Sequence, residues 1–150
     1  MDSAEDGTEG VAVSSRIVSG RIDVAALRAA VDDPGFGAVI VFEGVARNTF
    51  GGRRVVRLEY EAYAEMADPV LASIVAEAAA QWPMARVVIV HRTGAVAIGE
   101  ASVVVAVGAP HRGEAYAASR YAIDALKARL PVWKKEIYED GTAWKANAAE

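Results

Sequence analysis

Two lysines, Lys127 and Lys134, flank Pro131 in the run AIDALKARLPVWKKE (122–136). Proline ends a helix and redirects the chain, so both amines can face one cleft. A lysine that is partly desolvated beside other cations loses proton affinity and becomes a usable base or nucleophile. A plainer reading stands beside this one. Lys127 and Arg129 would decorate a helix C-terminus, where cations are favourable anyway. Spacing alone does not choose between the two.

Further cations lie upstream. Pro110-His111-Arg112 stands where a helix should begin. Unpaired backbone N–H groups and about half a positive charge gather at such an end, and an arginine there suits phosphate or carboxylate. Alternatively, Arg112 is only solvated and His111 is a turn residue. Arg47 closes an apolar run and is followed by Asn48 and a glycine-containing loop, so a rigid strand could deliver it to a rim. An exposed hairpin arginine would look the same. Glu59 and Glu61 alternate along a strand and read as a solvated face. Trp133 reads as core or interface. From Ala109 to Lys135 there are six Lys or Arg against two acids. In a chain of net charge −4, that local excess points to an anionic ligand.

Composition narrows the classes. The 150 residues fit one domain with a sizeable core. An isoelectric point near 5.3 argues against a general nucleic-acid binder, which needs a large positive footprint. With no cysteine and only His91 and His111, no disulfide, thiol nucleophile or multi-histidine metal site is expected. No Walker motif, dinucleotide fingerprint or serine elbow occurs. The acidic start and the lack of a long apolar run predict a cytoplasmic protein without a signal or membrane span.

The elements that must position these groups follow from the patterning. Residues 1–10, with four acids and no base, are expected to be a disordered tail. Val11–Val18 is expected as a strand, and Val24–Val31 as a short helix capped by Asp23. The apolar run Gly37–Gly44 predicts a strand buried on both faces. Arg54–Tyr63 alternates, with Val56, Leu58, Tyr60 and Ala62 on one face. These two strands are expected to pair as an antiparallel hairpin. Asp68-Pro69 is expected to open a helix that Pro83 stops. Then come a strand at Arg86–Val90, a turn at Gly94–Gly99, a strand at Ala101–Val107, a helix at Gly113–Arg129 and a strand at Val132–Tyr138. The Ala-rich end is expected to fray. The order predicts a single α+β domain.

GAVIVFEGVARN (37–48), LEYEAY (58–63), the Trp82–Gly94 run, APHR (109–112) and AIDALKARLPVWKKE (122–136) together resemble the large, catalytic subunit of molybdopterin synthase, the MoaE family. The resemblance covers roughly residues 11–145, leaving 146–150 as a frayed end. It implies an α/β-hammerhead-type fold with an antiparallel sheet and packed helices. It also implies insertion of two sulfurs, as a dithiolene, into cyclic pyranopterin monophosphate. The sulfur would arrive as a thiocarboxylate on the C-terminal Gly-Gly of a small ubiquitin-like subunit. Two large subunits would form a homodimer with a small subunit at each outer end, a heterotetramer, and no cofactor is implied. By the same resemblance Arg47, His111 and Arg112, with Val45 and Ala46 alongside, form the pterin-phosphate pocket. Lys127 lies nearest the incoming tail and Lys134, followed by Lys135 and Glu136, is the second catalytic lysine. Phe42 and Ile123 are pocket-lining candidates.

Two other classes fit the residues. A non-catalytic module could sense a phosphorylated ligand through the same cations, and an interaction protein could use its apolar surfaces for assembly only. A sensor would lose affinity in Arg112→Ala without any turnover, and a scaffold would tolerate loss of Arg112 and both lysines.

Overall fold

Apolar runs that do not alternate need cover on both faces. The computed structural model describes residues 15–146 and provides that cover. Strands β1 (Ser15–Val18), β2 (Ala38–Val45), β5 (Arg86–Arg92) and β7 (Ala101–Ala109) form one sheet in the spatial order β1-β5-β7-β2. β1 runs parallel to β5, and the other neighbours are antiparallel. Successive side chains on a strand point to opposite faces. Val103, Val105 and Val107 therefore pack on helices α2 (Ala64–Gln81) and α3 (Arg112–Arg129), through Leu71, Ile74, Ala118 and Leu126. Val104 and Ala106 turn the other way, under Leu27 and Val31 of the short helix α1 (Val24–Ala30) and its cap.

α3 is alanine-rich, which favours helix. Its buried residues Ala115, Ala118, Ser119, Ala122 and Leu126 make one stripe at helical spacing. It stops at Leu130, whose backbone is extended (φ −71°, ψ 124°), as a residue before proline prefers.

A second sheet is built on β4 (Arg53–Ala62). One edge of β4 pairs with β8 (Val132–Tyr138), which in turn pairs with β9 (Gly141–Ala146). Its other edge carries β3 (Thr49–Phe50) and β6 (Gly94–Ala97). The β3–β4 turn is Gly51-Gly52, both at positive φ (59° and 80°), as a two-residue hairpin of this hand requires.

Several expectations are corrected. The apolar run at 37–44 and the alternating run at 54–63 do not form a hairpin; β2 pairs with β7, and β4 with β8. The physical reason is cover: β2 is the edge strand of the helix-clad sheet and is half-buried, not buried on both faces as expected, with Ala38, Ile40 and Phe42 packed on one side and Val39 and Val41 on the other. A bulge between Val55 and Arg57 shifts the parity of β4, so Val55 is buried while Val56 is 47% exposed. Helix α2 begins at Ala64, ahead of Asp68-Pro69, because Ala67 and Leu71 anchor an extra first turn. Residues 94–97 are strand rather than turn. Strand β9 runs to Ala146, opposite Trp133. Residues 1–14 and 147–150, with the tail, the start of the first strand and most of the frayed end, lie outside the described residues. Among the described residues, no helix is long and apolar enough to cross a membrane.

Candidate active site

Pro131 returns the chain as β8 directly after α3, which brings Lys134 back beside Lys127. The two lysines meet Arg47 at a cavity of about 120 Å³ whose wall also includes Tyr60, Ser102 and Glu136. Each side chain has a clear origin. Lys127 sits in the last turn of α3. Arg47 leaves the end of β2. Lys134 and Glu136 point inward because they face Tyr60 and Leu58 in the β4–β8 register. Val45 and Phe50 stand at the rim, both exposed. Ser102 Oγ donates to the Gly44 carbonyl at 3.3 Å, which ties the β2 end to β7.

Glu136 is the unusual member, a carboxylate only 2% exposed. A buried charge needs partners. The Tyr138 hydroxyl donates to one of its oxygens. The other lies 3.7 Å from Lys134 Nζ. The wall therefore holds three cations and one fixed anion, a net positive hollow suited to an anion.

His91 is buried close to this wall at 3% exposure, with its ring edge-on to Tyr60 at 5.1 Å between centroids. Nδ1, as the protonated nitrogen, donates to the Arg92 carbonyl at 2.8 Å. Burial pushes its pKa down to about 4; the Lys127 charge adds to this, and the Arg92 carbonyl opposes it. The unfolded ring binds a proton near pH 6.5 and the folded one near 4. Above 6.5 the ring is neutral in both states, and its effect on stability is nil. As pH falls from 6.5 to 4 only the unfolded chain takes the proton, so stability falls, by about 3 kcal/mol in all. Urea unfolding at pH 7 and pH 4.5 is expected to show this loss, and His91→Asn to reduce it.

The other candidates lie elsewhere. Ala46 is buried in a small cluster with Val55, Leu58, Tyr60, Val96 and Tyr138, and its backbone bonds to Gly99 and Glu100. Phe42 and Ile123 pack against the main core instead of the cavity. Lys135 faces Glu59 on the opposite side of the second sheet. His111 and Arg112 are exposed at the far end of α3, the His111 side chain at 86%. Arg112 is about 22 Å from Lys127 along the helix axis at 1.5 Å per residue. One chain does not bring that pair to the lysine cavity. Sequence reasoning in turn missed Tyr60, Ser102 and Phe50 as wall residues. The alternation of β4 placed Tyr60 on its inner face, but only the strand pairing sets it against Lys134.

A larger hollow of about 250 Å³ lies between β1 and α1, floored by Val18, Ile22, Leu27 and Val90, with Arg16 and Arg21 at its edge. Arg21 is paired to Glu100 at 3.4 Å. Size does not decide between the two hollows. Convergent cations from three separate elements do, and only the smaller one has them.

Residues 17–129 match the family model described as MoaE protein. A molybdopterin synthase catalytic subunit from Oryza sativa subsp. indica is 51% identical over 129 residues, covering 86% of this chain and 67% of that protein. The crystal structure of molybdopterin synthase from Staphylococcus aureus superposes with a TM-score of 0.83 at 42% identity, covering 87% of this chain and 95% of the other. The fold recurs, at 21% identity and a TM-score of 0.72, in a protein–protein complex of subunits 1 and 2 of molybdopterin-converting factor from Helicobacter pylori, over 87% of this chain and 89% of the other. By sequence over most of its length and by its α+β architecture, the chain belongs to the MoaE protein family.

Proposed function

We infer that this chain is the catalytic subunit of a molybdopterin synthase, a sulfurtransferase of molybdenum cofactor biosynthesis. The observation that carries the reading is the meeting of Lys127, Lys134 and Arg47 at one cavity in a chain without cysteine. Such a protein can grip an anionic pterin but cannot itself carry sulfur as a thiol. A second polypeptide has to bring it, and a thiocarboxylate at the C-terminal glycine of a small ubiquitin-like subunit is the donor this reading assigns.

For sulfur to move, the thiocarboxylate sulfur forms a carbon–sulfur bond to the pterin as a carbon–oxygen bond at that carbon breaks, its oxygen leaving on the phosphate or as water; the acyl–sulfur bond then breaks as water or an amine takes the acyl group. Negative charge grows on the acyl oxygen as that bond is attacked. Lys127 stabilises that charge, and Lys134 transfers a proton or polarises the pterin. Arg47 meets the phosphate. Val45 at the rim contacts the substrate.

His111 and Arg112 complete the phosphate site from the second copy in a homodimer, and with one small subunit on each copy the assembly is a heterotetramer. The length of α3 supports this arrangement, because the head and foot of one rigid helix cannot enter the same hollow.

The first test is reconstitution with thiocarboxylated small subunit and pterin precursor, assaying the dithiolene product. Absence of product would sink the reading. The shared site has its own check. Arg112→Ala and Lys127→Ala chains, each nearly inactive alone, are mixed and allowed to exchange. Random re-pairing of subunits is expected to restore about a quarter of wild-type activity. A mixture as inactive as its parents would show that Arg112 does not serve its partner's site.

A further inference from the structure

The Glu136 carboxylate is divided between two jobs. Oε2 faces Lys134 Nζ at 3.7 Å, and Oε1 accepts the Tyr138 hydroxyl. Tyr138 is itself held. It is 5% exposed, and the Arg53 guanidinium lies 3.6 Å above its ring centroid. A cation over an aromatic face is attracted to it. Arg53 is fixed in turn by Asp140 Oδ1, 2.7 Å from Nη2, and by the Gly51-Gly52 turn that precedes it.

We propose that Tyr138, clamped beneath Arg53, is a positioning residue for the Glu136–Lys134 pair of the sulfur-transfer cavity. This rests on the sulfurtransferase reading only where it concerns rate. Tyr138 is not among the residues of the cavity wall. Its effect runs through Glu136, whose orientation decides where the Lys134 ammonium sits. The bond to Glu136 raises the phenol's pKa above its ordinary value, so Tyr138 keeps its proton as a donor through the neutral range. Facing Glu136 are Lys134 and Tyr138 on β8, Lys127 on α3, Arg47 after β2, and Tyr60 and Arg53 on β4.

Removing a donor from a buried carboxylate disfavours its charged form. In Tyr138→Phe, Glu136 should therefore take up a proton at higher pH and release Lys134. In the reconstituted complex, kcat is expected to fall about ten-fold with KM for the pterin little changed, the pattern of lost transition-state positioning. The acid limb of the kcat profile should move up by about one pH unit. Arg53→Gln should shift both in the same direction by less.

A readout free of turnover keeps the two ideas apart. Glu136 is followed by NMR in chain labelled with carboxyl-13C glutamate, its signal assigned by Glu136→Gln. A carboxyl that titrates at higher pH in Tyr138→Phe than in wild type supports the proposal even if wild type makes no dithiolene, a result that would remove the functional reading alone. An unmoved Glu136 titration overturns the proposal, as does wild-type kcat with an unmoved acid limb, whatever happens to the melting temperature.

Discussion

Lys127→Ala is expected to lower dithiolene formation by about 10²–10³-fold, the usual cost of losing a donor aimed at developing charge. Lys134→Ala is expected to do the same. The defect should fall on kcat, with small-subunit affinity preserved, because neither lysine belongs to the packed core. Lys127 is half-buried in the last turn of α3, outside the stripe of core residues that ends at Leu126. Losing a cation there costs the helix less than about 1 kcal/mol. Lys134→Ala removes one partner of the buried Glu136 carboxylate and so costs some stability, but the carboxylate retains the Tyr138 hydroxyl. If the two lysines act as a unit, the double variant should be hardly worse than either single one. Single-turnover assays with preformed complex measure this directly. Full activity in both single variants would remove the cavity from the chemistry.

Gly108→Ala is expected to destabilise the fold by about 3 kcal/mol, at the upper end of the usual cost of overpacking. A Cβ on Gly108 would sit 2.1 Å from the Val31 carbonyl oxygen and 2.7 Å from the Phe36 ring. The ring could swing away, but the carbonyl belongs to the backbone at the end of α1. Moving it means lifting α1 from the sheet or bending β7, which is bonded to β2 and β5 on its two sides. Thermal or urea denaturation measures the loss. Gly20→Ala is the control, since a Cβ there meets nothing within 4 Å. A Gly108→Ala chain that melts with wild type would mean that α1 rests on β7 more loosely than the packing implies.

Local chemistry was legible in the sequence, and distant pairing was not. Pro131 between Lys127 and Lys134 announces a turn that brings two amines together, and no distant residue is needed to see it. Helix α3 and strand β8 were equally plain, because alanine content, apolar spacing and the proline all agree there. The strand partners of β2 and β4 depend on which surfaces are left for each to cover, a property of the whole chain. The bulge that exposes Val56 leaves no signal in an otherwise regular alternation. The resemblance grouped Glu136 and Lys135 with Lys134 as site residues, yet only strand parity tells them apart: it buries Glu136 in the cavity wall and turns Lys135 to the other face. His111 and Arg112 look adjacent to the lysines in function and stand far from them in space. Helix length alone could have shown that.

That length has a mechanical corollary. α3 is one uninterrupted rod of eighteen residues, so its two ends cannot be retuned separately. Inserting or deleting one residue within it would rotate everything downstream by about 100° and swing Lys127 off the wall. A change of length in the Gly51-Gly52 bend would stay local. Engineers wishing to reshape this pocket should treat the rod as a gauge block and make their cuts in the hairpin.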